Sequence, residues 1–191
     1  MRRIPSHNGY AITAKEENNV VKVHNESFER QIDLSLEIPQ NVKLKLHTVN
    51  NGTIEVENIK GELEIDNVNG PIKLKNISGS AVASTVNGGI KANFTSVDAS
   101  AAMAFSTLNG NVDVTLPADT KANLKLKSDR GEIYTDFDME VSKSDTRPAV
   151  STENNMHKLS VDDWVHGKIN GGGAQIMMKN MMGDIYVRKS K

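Results

Sequence analysis

Five glycines stand nine residues apart, at Gly52, Gly61, Gly70, Gly79 and Gly88. Each opens a short alternating segment: Gly52-Thr-Ile-Glu-Val-Glu, Gly61-Glu-Leu-Glu-Ile-Asp, Gly70-Pro-Ile-Lys-Leu-Lys, Gly79-Ser-Ala-Val-Ala-Ser and Gly88-Gly-Ile-Lys-Ala-Asn. A fixed period with period-2 alternation inside it points to stacked β-strands, each burying every second side chain. Asn-Gly pairs recur at 51–52, 69–70, 87–88 and 109–110, at spacings of 18, 18 and 22 residues. One coil is therefore read as about eighteen residues carrying two strands, one on each of two stacked sheets. Asn-Gly marks one corner and Lys-Gly or Ser-Gly the other; both Asn and Gly tolerate the positive φ a corner asks for.

Stacking the coils in this register names the core. Inward positions on one sheet are Ile54/Val56, Ile72/Leu74, Ile90/Ala92 and Val112/Val114. On the other they are Leu63/Ile65, Ala81/Ala83, Met103/Phe105 and Leu124/Leu126. The Ala pair beside Met and Phe predicts a core of alternating small and large layers. Ile59, Val68, Ile77, Val86 and Leu108 precede the corners and are expected to plug the ends of the core. Asn58, Asn67 and Asn76 recur at one phase, either bonding corner backbone or serving as ordinary turn formers. Outward positions form columns, one of which runs Glu55, Lys73, Lys91, Asp113. Exposed cross-strand pairs of this kind contribute only ~0.2–1 kcal/mol each.

The expected fold is all-β: one β-solenoid with coils of about 18–22 residues and almost no helix, spanning residues 1–191 as a single domain. Residues 1–19 read as a polar lead-in with one weak strand. Residues 20–48 hold N-terminal strands at Val20–His24, Gln31–Ile38 and Val42–Val49. The regular coils fill 49–138, with Val97–Ala101 lengthening one of them. An irregular excursion covers 139–168, its polar stretch 142–156 reading as an exposed loop, and closing strands occupy 169–191.

Composition excludes several functions. With 23 Lys+Arg against 24 Asp+Glu the net charge is -1, so no footprint for nucleic acid or anionic membrane follows. Aromatics are 4%, too few for base-stacking platforms. The absence of cysteine removes disulfides, thiolate metal sites and thiol catalysis. No apolar run reaches the length of a membrane span, and the start lacks the apolar core of a signal peptide. Two placements follow: retention in the cytosol, or a trimmed form of an exported protein.

No motif supplies a reaction. His7, His24, His47, His157 and His166 have no metal-ligand spacing and read as surface or loop residues. Asp162-Asp163 beside Trp164 would share a site only in a turn, and Trp164 reads as a core or edge plug ahead of a ligand platform. Asp136 and Asp138 flank Phe137 without the further oxygens of a calcium loop. Gly171-Gly172-Gly173 lacks the Lys-Ser/Thr of a P-loop and precedes a strand, so it reads as a corner or bulge. Among Met177, Met178, Met181 and Met182, alternation turns Met178 inward and Met177 outward. An exposed methionine face would mark a contact surface; core filling is the plainer reading. No catalytic, cofactor-binding or metal residue is assigned, and no cofactor is expected.

The tandem Val-Asn-Gly-x-Ile-x-Val units, the run Phe105-Ser-Thr-Leu-Asn-Gly-Asn-Val-Asp-Val-Thr-Leu-Pro-Ala and the final Gly183-Asp-Ile-Tyr-Val-Arg resemble a bacterial adhesin-type β-solenoid domain family of unknown function. The resemblance covers roughly residues 30–190. It implies a right-handed β-helix, often exported to the cell envelope, with no functional residue to carry over. The resulting expectation is a non-enzymatic structural or interaction module of the envelope with a protein or glycan partner. The alternatives are a cytosolic bactofilin-like scaffold that polymerises end to end, and a polysaccharide-cleaving β-helix using Glu55, Glu57, Lys73 and Lys75. The charged closing segment Tyr186-Val-Arg-Lys-Ser-Lys reads as a cap, which predicts a monomer. The breaks at 97–101 and 142–168 are where a binding site is expected.

Overall fold

The computed structural model describes residues 12–25, 32–50, 52–142, 149–153, 156–160 and 164–190. The chain forms two compact units, Met1–Glu37 and Ile38–Lys191, where the sequence reading has one domain. No helix occurs among the described residues.

In the first unit, β1 (Ile12–Glu17) and β2 (Val20–Asn25) pair as an antiparallel hairpin. Asn18 and Asn19 make its two-residue turn at φ 53° and 61°, the left-handed pair that suits strand twist. Over the described part of the strand expected at Gln31–Ile38, residues 32–38, no strand forms, and Leu34 and Leu36 are exposed. Alternation alone does not make a strand; it needs a partner edge and a face to bury.

The second unit holds β3 (Leu44–Thr48), β4 (Ile54–Glu57), β5 (Lys60–Asn69), β6 (Ile72–Asn87), β7 (Ile90–Val97), β8 (Met103–Asn109), β9 (Val112–Leu116), β10 (Ala122–Arg130), β11 (Ile133–Thr135), β12 (Met139–Ser142), β13 (Ala149–Glu153), β14 (Met156–Ser160), β15 (Val165–Ile169), β16 (Ala174–Met182) and β17 (Ile185–Lys189). The excursion at 139–168 is more regular than the sequence suggests. It contains β12, β15 and an antiparallel β13–β14 hairpin, a motif that closes locally and needs no shared core.

The remaining thirteen strands form one mixed, mostly parallel sheet that runs as two walls, with β6 long enough to belong to both. The first wall runs β4, the start of β6, β7, β9, β17, β11. The second runs β3, β5, the end of β6, β8, β16, β10, β15, β12. Only β15 runs antiparallel to its neighbours. All sixteen inward positions named from the alternation are buried. Phe94 and Phe105 meet edge-to-face, centroids 6.1 Å apart, beside the small Ala81, Ala83 and Ala92.

The Asn-Gly corner differs from its expected design. Ile59 and Ile77, at the other corner, are buried as plugs, but Val86 and Leu108 point outward at 39% and 41% exposure. A column of small polar residues turns inward in their place: Thr48, Asn67, Thr85, Thr107, Asn180 and Ser128, in register across six strands. Each of the last five donates to a corner glycine carbonyl, the Thr107 hydroxyl to Gly88 at 2.7 Å and the Asn67 amide to Gly52 at 2.8 Å. Corner carbonyls have no strand partner in this direction, and an apolar plug would leave them buried and unbonded.

The glycines are required by close approach. A Cβ on Gly88 or Gly110 would collide with the carbonyl oxygen of the stacked glycine one coil away. The asparagines of the Asn-Gly pairs do not adopt positive φ among the described residues; Asn69, Asn87 and Asn109 form an amide ladder with bonds of 2.8 and 2.7 Å. Left-handed φ falls instead on Asn58 and Asn76, while Asn67 is the buried bonder.

The closing strands do not close the stack. β16 lies between β8 and β10, and β17 between β9 and β11. The cap expected from Tyr186 onward is an interior coil, held in place by contacts with residues more than fifty positions away.

Candidate functional site

Period-2 alternation that buries one side chain exposes the next, and the second wall's outward face has an uncommon composition. Three outward columns cross it in register. One runs Lys45, Glu64, Val82, Ala104, Met177, Lys125, His166. The next runs His47, Asp66, Ser84, Ser106, Lys179, Lys127. The third carries Val68, Val86, Leu108, Met181 and Asp129 at the corner.

The middle of this face is apolar. Val82 is 47% exposed, and Val86, Leu108 and Met181 about as much; Met177 is half-buried. Ser84 and Ser106 lie between the apolar columns. Val86, Leu108, Met177 and Met181, with Ser84, Ser106, Lys179 and Asp129, line a shallow groove of about 480 Å³. The face changes charge along the stack. Glu64 and Asp66 lie at one end, Glu64 paired with Lys45 at 2.6 Å. Lys179, Lys127 and Lys125 lie at the other. Lys127 pairs with Asp129 at 3.5 Å, and Lys125 sits 4.5 Å over the Trp164 ring. Lys179 is exposed and makes no ion pair among those of the described residues.

The first wall is of a different kind. Its outward column is Glu55, Lys73, Lys91, Asp113, Tyr186, Tyr134, extending the sequence-derived column by two aromatic residues. Lys75 bonds both Glu55 and Glu57, and its hydrogen bond holds the Glu55 carboxyl below the usual glutamate range. Arg188 Nε donates to Asp113 at 2.8 Å, and Tyr134 stacks on Tyr186 at 5.1 Å.

The chemistry-bearing residues singled out in the sequence do not converge. His24 and His47 are exposed on separate units, and His166 is half-buried beside Lys125. His7, Asp162, Asp163 and the side chain of His157 lie outside the described residues. Trp164 covers a lysine on the outer face and is not a core plug. Asp136 accepts from the Lys189 amide at 3.3 Å, Phe137 is buried between the two aspartates, and Asp138 is exposed. Among the described residues no three His, Asp or Glu side chains gather as a metal set. His47, Asp66 and Ser84 are register neighbours, but Ser84 bonds Asp66 directly, so no imidazole stands between serine and carboxylate as a nucleophile would need.

Gly171-Gly172-Gly173 links β15 to β16. Met178 is buried and Met177 outward, as alternation gives, and Met181 and Met182 are exposed. Sequence reasoning missed the groove because it stacked β10 directly on β8. The available signal was the shared phase of Gly110-Asn-Val-Asp-Val, Gly131-Glu-Ile-Tyr-Thr and Gly183-Asp-Ile-Tyr-Val, which makes the three segments equivalent as neighbours.

Among the described residues no helix is long and apolar enough to cross a membrane. The family model described as Toastrack DUF4097, a domain of unknown function, matches residues 33–188. No curated protein and no solved structure matches the chain.

Proposed function

The chain belongs to the Toastrack DUF4097 family, and from that premise we propose that it is a non-catalytic interaction module of the bacterial cell envelope, wound as right-handed coils. Its partner seats on the outward face of β6, β8 and β16. The observation that carries this reading is the contiguous set Val86, Leu108 and Met181, apolar and exposed on a wall whose flanks are charged. Contiguous apolar patches on a protein surface mark contact surfaces. Lys179, exposed at the groove's edge, selects a partner that presents apolar side chains beside a carboxylate. The methionines supply polarizable, adaptable contact area.

A non-catalytic role is supported by the way carboxylates and cations are used. Lys75 is engaged by both Glu55 and Glu57, and Asp113 by Arg188. Such ladders solubilise a wall and engage the carboxylates they contain. Envelope placement rests on the resemblance to exported adhesin-type solenoids. A photo-reactive residue at position 108, compared with one at position 91 in the native cell, tests the face. Adducts at 108 in the envelope fraction and few at 91 are expected. Equal labelling at both, or recovery only from the cytosol, would overturn the reading.

A further inference from the structure

The stack is assembled out of chain order. β9 ends at Leu116 in one layer, and the chain resumes at β10 two layers on, not one. At a strand spacing of about 4.8 Å this leaves a slot one coil thick, open on both walls. Residues 174–189 fill it, pairing in parallel with β8 and β10 on one wall and with β9 and β11 on the other. Nothing in the slot is specific to a segment of the same chain. It offers four strand edges, the Gly110 carbonyl that accepts from Asn180, the Ser128 hydroxyl that donates to the Gly183 carbonyl, and Asp113 for Arg188.

The filling coil joins the preceding strand β15 through a short connection, Asn170–Gly173. Three consecutive residues there sit at positive φ: Asn170 at 50°, Gly171 at 84° and Gly172 at 85°. The Asn170 amide ties this hinge to the Ala118 and Thr120 carbonyls at 3.0 and 2.7 Å. A coil added last, through a tight hinge, into a slot its own chain leaves open, meets the requirements for exchange between identical chains. We infer that the C-terminal coil is exchangeable, so that residues 174–189 of one copy enter the slot of a second copy to form a closed, reciprocal dimer. The groove on the second wall is then built from β6 and β8 of one chain and β16 of the other. The inference stands independently of what the groove binds.

Because the chain lacks cysteine, Ser106→Cys with Lys179→Cys places two thiols on paired outward positions of β8 and β16. The protein is unfolded, refolded at low and at high concentration, separated by size, treated with a short bis-maleimide and run denatured. The expected result is a dimer fraction that grows with refolding concentration and yields a covalent dimer, while the monomer fraction yields only internally linked chains. Gly171→Pro, whose ring cannot adopt φ near +84°, should open the hinge and raise the dimer fraction severalfold. A dimer that falls apart into internally linked single chains means surface association and overturns the proposal. So does purely monomeric refolding of the double-cysteine protein at every concentration; that arm decides even if the proline variant does not fold.

Discussion

The two walls share one core and one strand spacing but meet solvent in opposite ways. On the first wall, outward side chains are Glu55, Lys73, Lys75, Lys91, Asp113 and Arg188, most of them paired, with the stacked Tyr134 and Tyr186 at one end. On the second, the middle of the matching outward column is Val82, Ala104 and Met177, and the corner column beside it carries Val86, Leu108 and Met181. Both walls bury an apolar inward set, the second adding a polar column at its corner, so packing does not demand the outward difference. A wall that only has to stay soluble is served by charges. A wall left apolar at its centre, with charge confined to its ends, is shaped for contact.

The comparison breaks first at its shared core. Ile72→Asp places a charge at a position with no solvent access. It should cost several kcal/mol, on the scale of ~2–7 for an unpartnered buried polar group. Lys73→Asp, its outward neighbour, should cost less than about 1 kcal/mol. Equal losses in denaturant melts would mean the inward and outward faces are misassigned. Next comes the corner common to both walls. Asn67→Ala strips the Gly52 carbonyl of its donor, for an expected loss of about 1–3 kcal/mol by the same measurement. Thr107→Val, which removes the donor to the Gly88 carbonyl, should behave alike and Leu108→Thr should not.

Smaller effects separate the walls. Lys75→Ala should lower stability only slightly, and the loss should vanish in concentrated salt, where exposed pairs are screened. Val86→Gln should leave stability within about 0.5 kcal/mol while removing the photo-adducts expected from position 108. A large destabilisation would place Val86 in the core design instead. The smallest signal is a titration. The Lys75 hydrogen bond lowers the folded-state value of Glu55, so the pair's contribution is present above the ordinary glutamate range. It is lost as pH falls through that lowered value. The Glu55 carboxyl resonance should therefore titrate below a normal glutamate, and return to the usual range in Lys75→Ala.

Much of the fold was legible because alternation is a local property. Ile54, Ile72, Ile90 and Val112 can be placed in one column by counting alone, and their register partners are those the count gives. The corner was only partly legible. Val86 and Thr85 are both corner residues, and counting does not say which of them faces a carbonyl in need of a donor. The groove was not legible. Met177 was seen as outward, but its neighbours Ala104 and Lys125 follow from the position of β16, which no local pattern encodes.

The sequence by itself determined the strand period, the inward side chains and the glycines that let coils approach, since each depends on residues within one coil of another. Tertiary structure alone decided the stacking order. Three segments opening on Gly110, Gly131 and Gly183 share a phase and could each follow the others. What distinguishes them lies outward and far apart in the chain: Arg188 on Asp113, Tyr186 on Tyr134, and the Asn111 side chain on the Asp184 amide. These contacts exist only once the last coil has entered the stack.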